Sequence, residues 1–235
     1  MIGLGTAINI GLIIAGSLCG LAFGRFMKEN LKQTLMMVSG IIVLLLGMSG
    51  AMQYMLVIVN GTLQTTGPML MIISMVTGAV IGELIDLNRW ITVFGDWVKA
   101  KTGNTGDPQF THAFITASLT FTVGAMGVLG SIQDGLTGNY QTLLLKGILD
   151  GIIVMVMVSS MGKGALFSFI PVGITQWIIT AMAHIAAPLM TPSAIDNLSY
   201  VGSILIFCVG IDLIWPGKIR IANLLPAIFV AMGLT

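Results

Sequence analysis

Charge is scarce in this chain of 235 residues: only 8% of its residues are Asp, Glu, Lys or Arg. A water-soluble domain carries roughly 25%, so this sequence cannot clothe a water-facing surface. No residue between Lys32 and Glu83 bears a formal charge. A basic face, which nucleic-acid affinity requires, is missing too, because the net charge is +1. Cysteine is nearly absent. Cys19 and Cys208 both sit in apolar runs, where sulfur acts as a small hydrophobe, so no disulfide framework and no redox compartment can be read from them. Nor is there a positive segment ahead of the first apolar block, since the first charge is Arg25. A removable signal peptide needs such a segment; the N-terminus is therefore expected to be the first membrane helix.

Several enzyme signatures are lacking as well. His-Glu-x-x-His and Gly-x-Ser-x-Gly do not occur. The pairs Asp134-Gly135 and Asp150-Gly151 superficially resemble those of lipid-headgroup transferases, but the Ala-Arg and the later aspartates those enzymes use to hold their metals do not follow. His112 and His184 stand alone, without a second ligand at metal spacing, and read as hydrogen-bonded residues. No enzymatic activity and no cofactor are expected. Without a nucleotide-binding loop, transport would be passive or gradient-driven.

What is present is hydrophobicity, 56% of residues with a mean hydropathy of +1.00. Blocks long enough to cross a bilayer as helices of ~20 residues predict an all-α, polytopic membrane protein of about eight spans. They run from Gly3 to Gly24, Thr34 to Val57, Pro68 to Asp86, Phe110 to Ser131, Leu143 to Gly162, Leu166 to Pro188, Tyr200 to Trp215 and Ile219 to Leu234. A polar turn, Asn60 to Pro68, separates the second and third. Pro226 is expected to tilt, kink or shorten the eighth. Every Lys and Arg except Lys146 falls in alternate connections: Arg25, Lys28 and Lys32; Arg89, Lys99 and Lys101; Lys163; Lys218 and Arg220. Short cytoplasmic loops collect such charges, so both termini are expected outside a bacterial inner membrane.

The chain reads as one domain, 1–235, with halves 1–86 and 108–235 joined by segment 87–107. In that segment Leu87, Trp90, Ile91, Phe94, Trp97 and Val98 recur at helical spacing among Asn88, Arg89, Thr92, Asp96 and Lys99. This predicts an amphipathic helix lying on the cytoplasmic interface. Val38–Val43 resembles Leu149–Val154, a hint of an inverted repeat.

Polar groups inside a bilayer cost a few kcal/mol unless they are paired or face water, which makes them the candidate functional residues. Asp150 lies about two turns into the fifth span, with Lys146 one turn away on the same face. Glu83, Asp86 and Asp212 share a cytoplasmic depth and could draw cations to an inner mouth. Ser131, Gln133 and Asp134 follow a glycine-rich stretch beginning at Gly124, whose low helix propensity predicts a broken span with exposed backbone. Asn9, Gln176 and Asn223 either line a path or bond across helices. The expected path is Asp150, Lys146, Asp134, Gln133 and Ser131 in the outer half, then Glu83, Asp86 and Asp212. Glycines four apart, Gly16, Gly20 and Gly24, Gly78 and Gly82, Gly147 and Gly151, predict close helix contacts within the fold or in a homo-oligomer.

Gly5-Thr6-Ala7-Ile8-Asn9, Gly78-Ala79-Val80-Ile81-Gly82-Glu83, Val123-Gly124-Ala125-Met126, Gly130-Ser131-Ile132-Gln133-Asp134-Gly135-Leu136 and Ile219-Arg220-Ile221-Ala222-Asn223-Leu224-Leu225-Pro226 together resemble one bacterial multi-spanning membrane family, domain of unknown function number 554. The resemblance covers essentially the whole chain and implies a polytopic inner-membrane protein. It implies no substrate and no site residues. From the residues, the expected function is passage of a small ion or polar solute through the lipid bilayer. The alternative is a membrane scaffold or partner subunit, in which the acids lock helices together; a wet cavity reaching Asp150 separates the two.

Overall fold

The computed structural model describes residues 1–235 apart from Arg25, Gly124, Ala187, Leu189, Met190 and Thr235. The charge assigned to Arg25 and the first glycine of the glycine-rich stretch lie outside the described residues.

The first two apolar blocks fold as α1 (Leu4–Gly24) and α2 (Glu29–Met55). α1 has 21 residues, which at 1.5 Å each matches the ~30 Å hydrocarbon layer. The polar turn expected after α2 is more ordered than a loop. Strands β1 (Leu56–Val59) and β2 (Thr62–Thr65) pair antiparallel around Asn60-Gly61, both at positive φ, 51° and 77°, the dipeptide that favours a two-residue hairpin turn. α3 (Pro68–Ile85) and the amphipathic α4 (Leu87–Lys101) follow. α4 divides its apolar residues: Ile91, Phe94 and Val98 face protein, while Trp90, Val93 and Trp97 remain exposed, as an interfacial helix requires.

The second half contains α5 (Phe110–Thr122), α6 (Ala125–Thr137), α7 (Gln141–Met161), a 3-10 turn (Lys163–Ser168), α8 (Phe169–Ala181), the one-turn α9 (Ala183–Ala186), α10 (Pro192–Ile214), a second 3-10 turn (Ile221–Leu224) and α11 (Pro226–Gly233). Among the described residues six helical segments are long and apolar enough to cross a membrane, and α5 and α6, bent by 60° to one another, pass the same test together. The expected fourth span is thus two helices rather than one. The break falls at its glycine-rich stretch, but at the start: Ser131, Gln133 and Asp134 continue as helix in α6. The seventh block begins two turns earlier than its hydropathy suggested. Asp196, Asn197 and Ser199 dilute the apolar run, yet Thr191 Oγ1 accepts from Ala194 N at 3.1 Å and Pro192 occupies the first turn, a regular helix start. The eighth block is short. Pro226 does not kink a long helix; it starts α11 after the 3-10 turn.

Close contacts fix the directions of the helices. An ideal Cβ on Gly5 of α1 would meet Leu143 of α7, one on Gly16 would meet Gly151, and one on Gly24 would meet Ser159. α1 and α7 therefore run parallel. Ser159 Oγ ties them by donating to the Gly20 carbonyl at 3.0 Å. α2 and α10 run antiparallel, with Gly40 beside Ile214 and Gly50 beside Ser203. So do α3 and the C-terminal segment, with Gly82 on Asn223 and Gly78 on Ala227. Phe110, at the start of α5, packs on Gly164 just beyond the end of α7, whereas Asp134, near the end of α6, reaches Gly5. The bent pair thus traverses the bundle from one end to the other, as a span would. The four-apart glycines pack against helices of the same chain, and none of them is left as an open groove for a second copy.

Candidate functional site

Lys146 and Asp150 occupy successive turns of α7, so the i, i+4 spacing places ammonium and carboxylate side by side. They form a hydrogen-bonded ion pair, Lys146 Nζ to Asp150 Oδ2. Both are more than nine-tenths buried. The Asn9 amide of α1 lies beside the Asp150 carboxylate, without closing a regular hydrogen bond. Asn9 is carried there by the α1–α7 contact, because Gly147 leaves room for it.

The pair borders an open cavity of about 320 Å³ lined by α2, α5, α6, α7 and α10. This volume is far above the ~15 Å³ that one water molecule needs. Its polar rim comprises Gln53 and Tyr54 at the end of α2, Thr120 of α5, and Ser199 and Ser203 of α10; Leu46, Phe121 and Ile153 are among its apolar walls. The break between α5 and α6 belongs to the wall, through Val123, Met126 and Gly127. A helix break leaves the last carbonyls of one helix and the first amides of the next without intrahelical partners. Gly127 is the floor under the lysine: an added Cβ would stand 3.3 Å from Lys146 Cε and 3.8 Å from Gln176 Nε2. Gln176 is buried, and neither of its amide atoms has a partner in the structure. Thr122 Oγ1, at the break itself, is unpartnered too.

A second cavity, about 360 Å³, lies at the opposite end of α5 and α10. His112 Nε2 stands 3.3 Å from Asp212 Oδ2 in it, and Asp212 Oδ1 accepts from Gly217 N at 2.8 Å. The two cavities share α5 as a wall: Thr116 and Leu119 face one, Thr120 and Phe121 the other. Between them lies an apolar cluster that includes Phe121, Val43, Leu119, Val209 and Leu213.

The remaining expected path residues are placed elsewhere. Asp134 Oδ2 accepts from Gly5 N at 3.0 Å, a carboxylate capping the first turn of α1, where the helix dipole favours negative charge. Ser131 Oγ donates to the Gly127 carbonyl at 2.7 Å, and the Ser131 carbonyl accepts from Thr180 Oγ1 at 3.2 Å. Gln133 Oε1 accepts from Thr142 Oγ1 at 2.7 Å and links α6 to α7. None of these three lines the cavity at Asp150. Glu83 pairs with Arg220 at 3.2 Å on an exposed surface, and Asp86 borders a surface recess of about 290 Å³ with Arg89 and Trp90. Asn223 Oδ1 accepts from Asn88 N at 2.6 Å, a bond between elements. Among the described residues no three His, Cys, Asp or Glu side chains gather as a metal site.

His112 as the neighbour of Asp212, and the rim of Gln53, Tyr54, Ser199 and Ser203, have no signal in the sequence. Single polar residues acquire meaning only when separate helices bring them to one space. Asp134 supplies a test of the division between cap and path. Asp134→Ala is expected to cost about 2 kcal/mol, because the buried Gly5 N–H loses its acceptor, and to leave flux per folded molecule within about twofold of the parent. Detergent-denaturation midpoints and vesicle flux, measured on the same preparation, check it.

Comparison with known proteins agrees with this architecture. The model of a family described as "Protein of unknown function (DUF554)" matches residues 4–235. The chain is 28% identical to the "Uncharacterized membrane protein YdfK" of Bacillus subtilis (strain 168), over 96% of this chain and 93% of that protein. It is 24% identical to the "Uncharacterized protein YqgA" of Escherichia coli (strain K12), over 99% and 96%. No solved structure matches. From its first helix to its last, this all-α membrane chain belongs to the DUF554 family.

Proposed function

We propose that this protein carries a small ion or polar solute across the membrane, passively or driven by a gradient. The observation that carries the reading is the cavity of about 320 Å³ that reaches the buried Lys146–Asp150 pair. A pair serving only to lock helices would be stable packed dry between them, and small residues do that with less desolvation. A space this large beside two charges instead keeps them accessible to water and solute. The second cavity at His112 and Asp212, beyond an apolar plug along the same helix, supports alternating exposure of a path to the two sides. In this reading Lys146 and Asp150 act in the outer half and Asp212 in the inner half, with Glu83 and Asp86 at the cytoplasmic surface. The alternation of positive loops supports a bacterial inner-membrane protein with its N-terminus outside, and the eighth block, a 3-10 turn and the eight-residue α11, returns the chain only part of the way. No catalytic step is assigned to any residue.

The test is flux in sealed liposomes containing the purified protein, screened for potassium, sodium, protons, small anions and small polar solutes, with Asp150→Asn as control. Flux that this substitution reduces to the protein-free background is expected. If the inserted, folded protein passes nothing, the acids are structural and the chain is a scaffold or partner subunit.

A further inference from the structure

The Lys146–Asp150 pair also bears on which solutes can use the outer cavity. Resting on the transport reading above, we infer that the outer cavity takes a small zwitterion with an apolar body, the chemistry of a neutral α-amino acid. Three features of the cavity lead there.

The first is charge. The pair is neutral as a whole and more than nine-tenths buried. A lone cation approaching Asp150 meets the Lys146 ammonium at contact distance, and a lone anion approaching Lys146 meets the carboxylate. In a weakly polar interior either approach is opposed by the like charge unless the resident partner moves away. A zwitterion replaces both halves of the pair at once: its carboxylate takes the ammonium of Lys146, its ammonium takes Asp150, and the net charge of the cavity is unchanged.

The second is the lining. Metal-like or alkali cations are held by converging oxygens, but Asp150 is the only carboxylate among the described residues lining the cavity, and Leu46, Phe121, Met126 and Ile153 supply apolar wall that a bare ion cannot use. An apolar side chain can. Apart from the phenol of Tyr54, the hydroxyls lining the cavity are of one kind. Thr120, Ser199 and Ser203 donate their protons to carbonyls of their own helices at 2.7, 2.6 and 2.6 Å. Their oxygens can then only accept, which suits an ammonium group.

The third is the helix break. The end of α5 and the start of α6 lie in the same wall as the pair, and helix ends carry carbonyls and amides without intrahelical partners. Broken helices in transporters present their amide ends to the carboxylates of substrates and their carbonyl ends to cations. Gln176, buried and unpartnered behind Gly127, adds a neutral donor and acceptor at this break.

The experiment is uptake of ¹⁴C-labelled alanine, serine and leucine into proteoliposomes, with sodium, potassium and proton flux measured in the same vesicles. Uptake at least about tenfold above protein-free vesicles is expected. Excess unlabelled alanine should abolish it, while ethylamine and propionate, each carrying one of the two charges, should lower it by less than about twofold. Lys146→Met and Asp150→Asn should each reduce uptake at least about tenfold. Gly127→Val guards against variants that simply misfold. It leaves the pair intact but crowds the lysine stem, and should depress leucine uptake more than alanine uptake. Competition by ethylamine as strong as that by alanine, or an Asp150-dependent ion flux without amino-acid uptake, overturns the zwitterion assignment and leaves the transport reading standing. Absence of any Asp150-dependent flux removes both.

Discussion

Replacing Lys146 by Met is expected to lower stability by about 3 kcal/mol, and replacing Asp150 by Leu in the same molecule is expected to restore most of it without restoring transport. The reasoning starts from the asymmetry of buried ion pairs. Removing one partner strands an uncompensated charge and costs about 3–5 kcal/mol, whereas removing both in favour of apolar groups of similar size is often neutral or stabilising. Lys146 and Asp150 are both more than nine-tenths buried, and the cavity beside them tempers the cost toward the lower end of that range by admitting water. Unfolding by a denaturing detergent, followed by circular dichroism, reads stability; vesicle flux reads function. A double variant that is stable and inactive assigns the charges to the path. A double variant that is stable and fully active would end the transport role of both residues. No stability loss in the single variant would mean that the pair is already solvated in the ordinary way.

The second large effect is expected at Gly16, in the contact between α1 and α7. An ideal Cβ there would stand 2.1 Å from the backbone carbonyl oxygen of Gly151. Backbone cannot swing aside as a side-chain tip can, so Gly16→Ala must push the two helices apart, with a cost of about 3 kcal/mol as in other overpacked cores. Gly11 lies on the same helix with nothing within 4 Å of its Cβ position. Gly11→Ala should therefore be harmless or stabilising by up to about 1 kcal/mol through helix propensity alone. The same denaturation assay measures both. Displacing α1 also carries Asn9 away from Asp150, so Gly16→Ala should lower flux as well as stability. Equal behaviour of the two alanine variants would mean that α1 and α7 do not pack through these glycines.

Much of this architecture was legible in the residue order. Hydropathy alone located the first three helices within a few residues, because a segment that must satisfy its backbone in lipid has to be helical and apolar throughout. The amphipathic α4 was equally plain, since interfacial helices advertise two faces at a period of 3.6. The reading faltered where local composition was mixed. The start of α10 is polar but well capped, and segment 60–68 reads as a polar turn between spans although Asn60-Gly61 is the usual hairpin dipeptide. The glycine-rich stretch was correctly expected to break a span, yet Asp134 became a cap for α1 through a contact with a residue 129 positions away.

The sequence by itself determined that this is a membrane protein, that its spans are helical, and that Lys146 and Asp150 are paired, for i, i+4 neighbours on one helix need no tertiary information to meet. Only the tertiary structure decided what surrounds that pair. Its cavity draws on α2, α5, α6, α7 and α10, and the second cavity joins His112 to Asp212 across a hundred positions of chain. Such gatherings follow from how glycine-lined helices approach one another. Spacing within each helix shows that a close face exists, but not which partner fills it, because the packing energy belongs to the pair of surfaces and not to either sequence segment alone.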